Sequence, residues 1–194
     1  TYLSHDSIIN FLKRVPSEII VVIDLAYYEY VIADDYVKPL EILQKFKNVL
    51  ITKSFSKIHA LSALRIGYGM GNEKLIEIMN RVRQPFNVNA IAQEAAIAAL
   101  SDTDYLQKSI DNNTNEREFI CKCLDKMSVE YIPSQGNFIC IDVKTNGQEI
   151  FESLMQKGVI VRPIELYDMP NFIRVTIGKR SENEFFIEKL KECL

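Results

Sequence analysis

Four groups of side chains along this 194-residue chain are of types that could do chemistry. In chain order they are Asp24 with Tyr27, the sequence Ser-Phe-Ser-Lys at 54–57, Arg65 near two glycines, and the distant arginines Arg162 and Arg174. A lysine amine can bond covalently to carbonyl groups and can move protons. An arginine guanidinium offers a planar fork of donors that suits phosphate and carboxylate oxygens. The order of the four groups along the chain says more about function than any one group does.

Taken one at a time, these residues have ordinary structural explanations. An acid at a strand end, such as Asp24, often caps a turn, and a lysine beside serines, such as Lys57, is usually a solvated surface residue. Arg65 could form a surface ion pair, Tyr27 could be a half-buried core aromatic, and the two downstream arginines could be structural. Spacing alone does not decide between structure and function.

The elements that must position these residues alternate between strand and helix. A β-branched run at 18–24 ends on Asp24 and predicts a strand that is buried on both faces of a parallel sheet. Further strands are predicted at 49–52 and 64–68, and helices at 6–13 (with Asp6 as N-cap), 39–46 and 73–80. This alternation predicts an α/β architecture. In such sheets, ligand-binding groups follow the carboxyl ends of the strands, where Asp24 lies.

The pattern changes in the second half of the chain. An alanine-rich helix is predicted at 90–100, and a long helix at 104–127 capped near Ser101 or Asp102. Strands are then predicted at 129–132, 137–143, 159–161 and 172–177, with helices at 147–157 and 181–193. These signals favour a smaller α+β domain. We expect two domains, residues 1–100 and 101–194.

Composition narrows the class of protein. The formal net charge of −3 gives no bulk attraction to nucleic acid or to acidic membranes, and no apolar run is long enough to span a bilayer. The four cysteines fit neither a secreted disulfide framework nor a zinc knuckle, which favours reduced thiols in the cytoplasm. His5 and His59 have no acid or thiol arranged with them as metal ligands, so we expect no metal site.

The motifs, read together, resemble the core of the fold-type I aminotransferases. The resemblance lies in Ile-Val-Val-Ile-Asp-Leu-Ala-Tyr-Tyr-Glu-Tyr at 20–30, Thr-Lys-Ser-Phe-Ser-Lys at 52–57 and Leu-Arg-Ile-Gly-Tyr-Gly at 64–69. Within that group the chain is most similar to the histidinol-phosphate aminotransferases. Its residues 133–138, 158–162 and 172–178 resemble the small domain of that family. The implied fold is part of a large domain, a mostly parallel sheet with flanking helices, followed by a smaller α+β domain.

The resemblance also implies a cofactor and a role for each residue that matches the motifs. Lys57 would hold pyridoxal 5′-phosphate as a Schiff base and then move a proton between the substrate and the cofactor. Asp24 would pair with the pyridine nitrogen and Tyr27 with the phenolic oxygen. Ser54, Ser56 and Arg65 would hold the phosphate.

The same resemblance implies the substrates and the assembly. Arg174 would bind the carboxylate of glutamate or 2-oxoglutarate, or the phosphate of histidinol phosphate, with Arg162 assisting and Asn137 also contacting substrate. The division of labour between the two arginines stays open. The expected activity is transamination of L-histidinol phosphate with 2-oxoglutarate in histidine biosynthesis, by a cytoplasmic homodimer.

Some features depart from the family pattern. Leu25 stands where the family usually has an acid, and the turn Leu-Ser-Ala-Leu at 61–64 lacks a common glycine. The segments that usually precede residue 1 are absent, so we expect the C-terminal portion of a longer enzyme, inactive as an isolated fragment. Two alternatives within the fold are an aromatic aminotransferase and a decarboxylase of an amino-acid phosphate. A third, of another class, is a non-catalytic dimerisation remnant.

Overall fold

The structure, a computed structural model, describes residues 2–194. The chain divides into two compact units, residues 2–107 and 108–194. The division falls within a single helix, Thr103–Lys126. Each unit has its own sheet and its own core.

The first unit is built on a three-stranded sheet. Its strands are β1 (Val21–Asp24), β2 (Val49–Ser54) and β3 (Gly67–Gly71), in the spatial order β1-β2-β3. β1 runs parallel to β2, and β3 runs antiparallel to it. The helices of this unit are α1 (His5–Leu12), α2 (Pro39–Lys45), α3 (Glu73–Val82), α4 (Ala90–Ser101) and the start of α5 (Thr103–Lys126), with short 3-10 turns at Tyr28–Tyr30 and Ser62–Leu64.

Three expectations for this unit were wrong in detail. The N-cap of α1 is Ser4, whose side chain accepts from the Ser7 amide, rather than Asp6. β1 is not buried on both faces, since Val22 is 57% exposed. The third strand begins at Gly67 rather than at 64, because Arg65 adopts a left-handed conformation that interrupts an extended chain.

The core of the first unit lies between the sheet and helices α1 and α2. Its buried members are Ile8, Leu12, Leu25, Val37, Ile42, Val49 and Ile51. Removing a side chain of this size from water stabilises a fold by about 1.5–3 kcal/mol. The apolar side chains of β2 therefore fix the position of the strand whose carboxyl end leads to Lys57.

The second unit is built on a four-stranded antiparallel sheet. Its strands are β4 (Tyr131–Ile132), β5 (Phe138–Asp142), β6 (Arg162–Pro163) and β7 (Phe172–Thr176), in the spatial order β4-β5-β7-β6. The rest of α5 packs here with α6 (Gly147–Gln156) and α7 (Arg180–Cys193). The strand predicted at 159–161 instead lies at Arg162–Pro163, directly after Val159 and Val161, which are buried in the core.

Strands β5 and β7 show the alternation of a sheet with one buried face. Ile139, Ile141, Ile173 and Val175 are buried, whereas the intervening residues are not. Because successive side chains of a strand point to opposite faces, Arg174 lies on the face away from this core. The sheet therefore presents Arg174 without burying its charge.

No helix within residues 2–194 is both long enough and apolar enough to cross a membrane.

Candidate active site

A cavity of about 480 Å³ opens in the first unit where β1 and β2 end and β3 begins. It is lined by Asp24, Ala26, Thr52, Lys53, Ser54, Ser56, Lys57, Ser62, Arg65, Ile66 and Gly67. Five of the six residues predicted to bind the cofactor therefore share one cavity. Its volume is within the range of small-molecule sites.

Asp24 is placed at the mouth of the cavity by its position as the last residue of β1. Its Oδ1 accepts a hydrogen bond of 3.0 Å from the Ala26 amide, which orients the carboxylate across the turn that follows. Leu25, the next residue, is 2% exposed and belongs to the core. The departure from the family pattern at Leu25 is therefore a packing contact that does not line the cavity.

Lys57 lies on a segment that two neighbouring side chains anchor in the interior. Phe55 and Ile58 are 5% and 1% exposed, while Lys57 between them is exposed. The Lys57 Nζ lies 5.6 Å from the centroid of the Tyr27 ring. The structure thus brings Tyr27, the sixth predicted cofactor residue, close to the lysine although Tyr27 does not line the cavity.

Hydroxyl groups and a guanidinium also line the cavity. Ser54 Oγ accepts a hydrogen bond of 3.0 Å from the Ser56 amide, which fixes the chain between the two serines. Arg65 has a φ of 54° and donates from Nη1 to the Ser62 carbonyl at 2.7 Å. A left-handed conformation of a residue other than glycine costs on the order of 1 kcal/mol and persists only where the surroundings impose it.

A second lysine lies in the cavity wall but has a different environment. Lys53 forms an ion pair with Glu29, and its Nζ lies 4.3 Å from the Tyr28 ring centroid. Burial lowers the pKa of nearby His59, against the opposing effect of the Glu29 charge, so this imidazole favours its neutral form. The cation of Lys53 is thus engaged in a structural contact, unlike the exposed Lys57.

Sequence reasoning missed several residues of the cavity. Thr52 lies beside Asp24 in the parallel register of β1 and β2, a pairing that strand alignment could have indicated. Gly67 lets β3 approach β2 closely, because a Cβ at this position would lie 2.7 Å from the Lys53 carbonyl oxygen. The role of Ser62 in holding Arg65 left no signal in the sequence, since it uses a backbone carbonyl.

The three predicted substrate residues lie in the second unit. Arg162 and Arg174 are direct neighbours across β6 and β7. The Arg174 Cζ lies 4.8 Å from the Phe138 ring centroid, a cation–π contact that holds the guanidinium over the start of β5. Asn137 directly precedes that strand, and its carbonyl accepts from the Ile177 amide at 2.9 Å. The structure thus brings all three to one region of the antiparallel sheet.

Known proteins match this chain along nearly its whole length, and the matches agree on one family. The sequence model of the family described as aminotransferase class I and II matches residues 1–190. The whole chain is 47% identical to the histidinol-phosphate aminotransferase of Caldicellulosiruptor saccharolyticus, of which it covers 54%. It is 43% identical to histidinol-phosphate aminotransferase 1 of Nitrosococcus oceani, of which it covers 52%.

A solved structure agrees with these sequence matches. The histidinol-phosphate aminotransferase of Sinorhizobium meliloti, crystallised with pyridoxal-5′-phosphate, superposes with a TM-score of 0.92 at 26% identity. The superposition covers 100% of this chain and 53% of that one. The predicted α/β fold class is confirmed, and the chain spans about half the length of the relatives it matches.

Proposed function

Because the chain belongs to the family of class I and II aminotransferases, we propose that it forms the lysine-bearing part of an enzyme that transaminates L-histidinol phosphate with 2-oxoglutarate. The observation that carries this proposal is the convergence of Lys57, Asp24, Ser54, Ser56 and Arg65 on one cavity. The names of the relatives at 47% and 43% identity support the choice of substrate.

The chemistry of the cavity fits pyridoxal 5′-phosphate. The wall offers an amine, a carboxylate, two hydroxyls and a guanidinium, and a phenol lies near the amine. These groups match the aldehyde, the ring nitrogen, the phosphate and the phenolic oxygen of that cofactor. When bound, the cofactor serves as an electron sink for the electron pair left by a departing α-proton of the substrate.

At the reacting end, Lys57 has two tasks in this proposal. Its amine would hold the cofactor covalently and, when free, would move a proton at the substrate α-carbon. Asp24 would keep the ring nitrogen protonated, since a carboxylate beside that nitrogen favours its charged form. Tyr27 would donate a hydrogen bond to the phenolic oxygen.

At the phosphate end, Ser54, Ser56 and Arg65 hold the anion. Hydroxyl donors combined with a guanidinium form charge-assisted hydrogen bonds, which are stronger than neutral ones. The contact between Arg65 Nη1 and the Ser62 carbonyl leaves other guanidinium donors for the phosphate.

The substrate anion is assigned to Arg174, with Arg162 and Asn137 beside it. Two like charges directly opposite each other on neighbouring strands are mutually destabilising. An anion held between Arg162 and Arg174 would offset that repulsion, so their cross-strand pairing supports a carboxylate or phosphate subsite.

The proposed active form is a cytoplasmic homodimer. The resemblance to the aminotransferase family implies a cofactor site at a dimer interface, which supports this assembly. The thiols of Cys121, Cys123, Cys140 and Cys193 are all free, which suits a reducing compartment.

The first test is incubation of the complete enzyme with pyridoxal 5′-phosphate, followed by borohydride reduction and peptide mapping by mass spectrometry. A phosphopyridoxyl group on Lys57 is expected, and Lys57→Ala should lose both this label and transamination. The rate of transamination should fall by roughly 10²–10⁴-fold or more, because a positioned acid–base group contributes that much. Because Lys57 is exposed, the fold should persist.

Lys53→Ala is the matched control for labelling, since its ion pair with Glu29 should be lost without moving the label from Lys57. Turnover retained by Lys57→Ala would contradict the mechanism. Rates with histidinol phosphate and with phenylalanine separate the proposed substrate from an aromatic amino acid. An unlabelled protein without turnover would favour a non-catalytic dimerisation role.

A further inference from the structure

We propose that Asn113 is a positioning residue, which fixes Asn137 and the Phe138 ring beneath Arg174 by holding the carbonyl of Gly136. The inference rests on the proposed function, in which Asn137 and Arg174 bind the substrate anion. Nothing in the sequence motifs pointed to Asn113, which lies 24 positions before Asn137.

Asn113 is a buried amide of α5, whose other buried residues include the charged Glu116 and Arg117 as well as apolar ones. It is 3% exposed and shares its side of the helix with the fully buried Ile120 and Leu124. Its Nδ2 donates to the Gly136 carbonyl at 3.2 Å. Burying an amide is unfavourable unless it is hydrogen-bonded, and within residues 2–194 only Nδ2 is bonded, since the buried Oδ1 has no partner there.

The contact controls the peptide group that precedes Asn137. The Asn113 amide holds the carbonyl of Gly136, and the Ile177 amide holds the carbonyl of Asn137 at 2.9 Å. The two peptide planes that flank the Asn137 α-carbon are therefore both fixed, and together they set the direction of its side chain. Of these two hydrogen bonds, only that from Asn113 to the Gly136 carbonyl depends on a side chain, so a side-chain substitution can remove it.

The same turn supports Arg174. Its guanidinium lies over the Phe138 ring at 4.8 Å, and Phe138 is two residues beyond the carbonyl that Asn113 holds. The Gly136 amide in turn donates to Ser134 Oγ at 3.1 Å, which closes the turn locally. Releasing Gly136 would therefore displace both the Asn137 side chain and the surface on which Arg174 rests.

The test compares Asn113→Leu with Asn112→Leu in the complete enzyme. Leucine at 113 keeps the buried volume but has no N–H donor. Asn112 is the matched control, because its Nδ2 also donates to a glycine carbonyl at 3.2 Å, that of Gly178. The Gly178 carbonyl keeps a second donor, Asn183 Nδ2, so this change should leave KM and kcat within about twofold of wild type.

For Asn113→Leu, KM for the amino donor and for 2-oxoglutarate should rise about tenfold, with kcat and bound cofactor unchanged, because the lost interaction acts on substrate binding. Hydrogen–deuterium exchange at residues 134–138 should be faster even without substrate. A merely structural role would instead lower the folded, active fraction, which reduces kcat at constant KM. That result, or unchanged KM, would overturn the proposal.

Two provisions keep the test decisive. If Asn113→Leu does not fold, Asn113→Ala removes the same N–H donor with a smaller, uncharged side chain, and the same KM rise is expected. If the wild-type enzyme uses phenylalanine but not histidinol phosphate, the proposed substrate is wrong, and the KM ratio measured with phenylalanine still tests Asn113.

Discussion

At the scale of single residues, two similar side chains have different surroundings. Lys53 and Lys57 line the same cavity, four positions apart. Lys53 is held by Glu29 and by the Tyr28 ring, whereas Lys57 is exposed between two buried apolar anchors. An amine held in an ion pair and over an aromatic ring must leave both contacts before it can react, whereas an exposed amine is accessible. Sequence type alone would not separate these two lysines.

The buried phenol of Tyr30 gives a prediction at the same scale. Tyr30 is 7% exposed, and burial raises its pKa to about 12. In the unfolded chain the phenol titrates near its ordinary value of about 10, so between pH ~10 and pH ~12 only the unfolded state ionises. The contribution of Tyr30 to stability is therefore complete below pH ~10 and is lost as pH rises through that window.

Tyr30→Phe should remove this loss. Between pH 8 and pH 11 its free energy of unfolding should fall by on the order of 1 kcal/mol less than that of wild type. Denaturant titrations at the two pH values measure the difference. Tyr167→Phe is the control, because Tyr167 is 60% exposed, and it should show the wild-type fall. An equal fall in all three proteins would contradict a buried Tyr30 phenol.

At the scale of elements, local patterns predicted most helices and the strands that they border. The long helix starts at Thr103 beside Asp102, whose carboxylate accepts from the Tyr105 amide at 2.9 Å. A helix and its cap are encoded within a few residues, which is why this prediction is confirmed. The start of β3 could not be read locally, since it depends on the left-handed Arg65 and on pairing with β2.

The candidate site was predictable to a similar extent. Residues that lie at the ends of neighbouring parallel strands, such as Asp24 and those after β2, are brought together by topology. Contacts made through backbone carbonyls, such as those of Ser62 and Gly136, have no residue-type signature. The parts that escaped prediction therefore depend on hydrogen bonds from side chains to the main chain.

The pairing of β2 and β3 gives a prediction for the cavity wall. Gly67→Ala would place a Cβ 2.7 Å from the Lys53 carbonyl oxygen, a backbone atom that cannot rotate away. We expect a loss of about 1–3 kcal/mol in the free energy of unfolding, together with weaker cofactor binding. Gly69→Ala is matched, since its Cβ would lie 3.4 Å from the Leu50 side chain and 3.9 Å from the Ile51 carbonyl oxygen, both ordinary contacts, and it should cost less than about 1 kcal/mol. Equal losses for the two variants would show that the close approach does not matter.

At the scale of the whole molecule, the first unit exposes an unusual amount of apolar surface. Val82, Phe86, Ile91 and Ile97 are 80%, 97%, 75% and 61% exposed. The chain also spans about half the length of the relatives it matches. Exposed apolar groups contribute little to the stability of the unit itself, and they favour self-association of the 194-residue polypeptide.

Replacing two of these residues tests that conclusion. Val82→Ser combined with Ile91→Ser should reduce light scattering and the binding of a hydrophobic dye by the 194-residue polypeptide. The unfolding free energy should change by less than about 1 kcal/mol, because neither side chain is buried. Glu77→Ser, an exposed polar substitution on the same helix as Val82, should leave scattering unchanged. Undiminished scattering in the double variant would place the association elsewhere.

The amide of Asn183 also restricts how this sequence can vary over evolutionary time. Asn183 Oδ1 accepts from the Gly178 amide at 3.0 Å, and its Nδ2 donates to the Gly178 carbonyl at 3.1 Å and to Glu116 at 2.8 Å. One side chain thus pairs with both backbone polar groups of Gly178, a residue just past β7, as a neighbouring strand would. Aspartate lacks the donor and leucine lacks both groups, while any Cβ at Gly178 would meet Glu182 Oε2 at 2.6 Å. Changes at these positions are therefore contingent on one another, and a lineage that alters one of them first passes through a less stable intermediate.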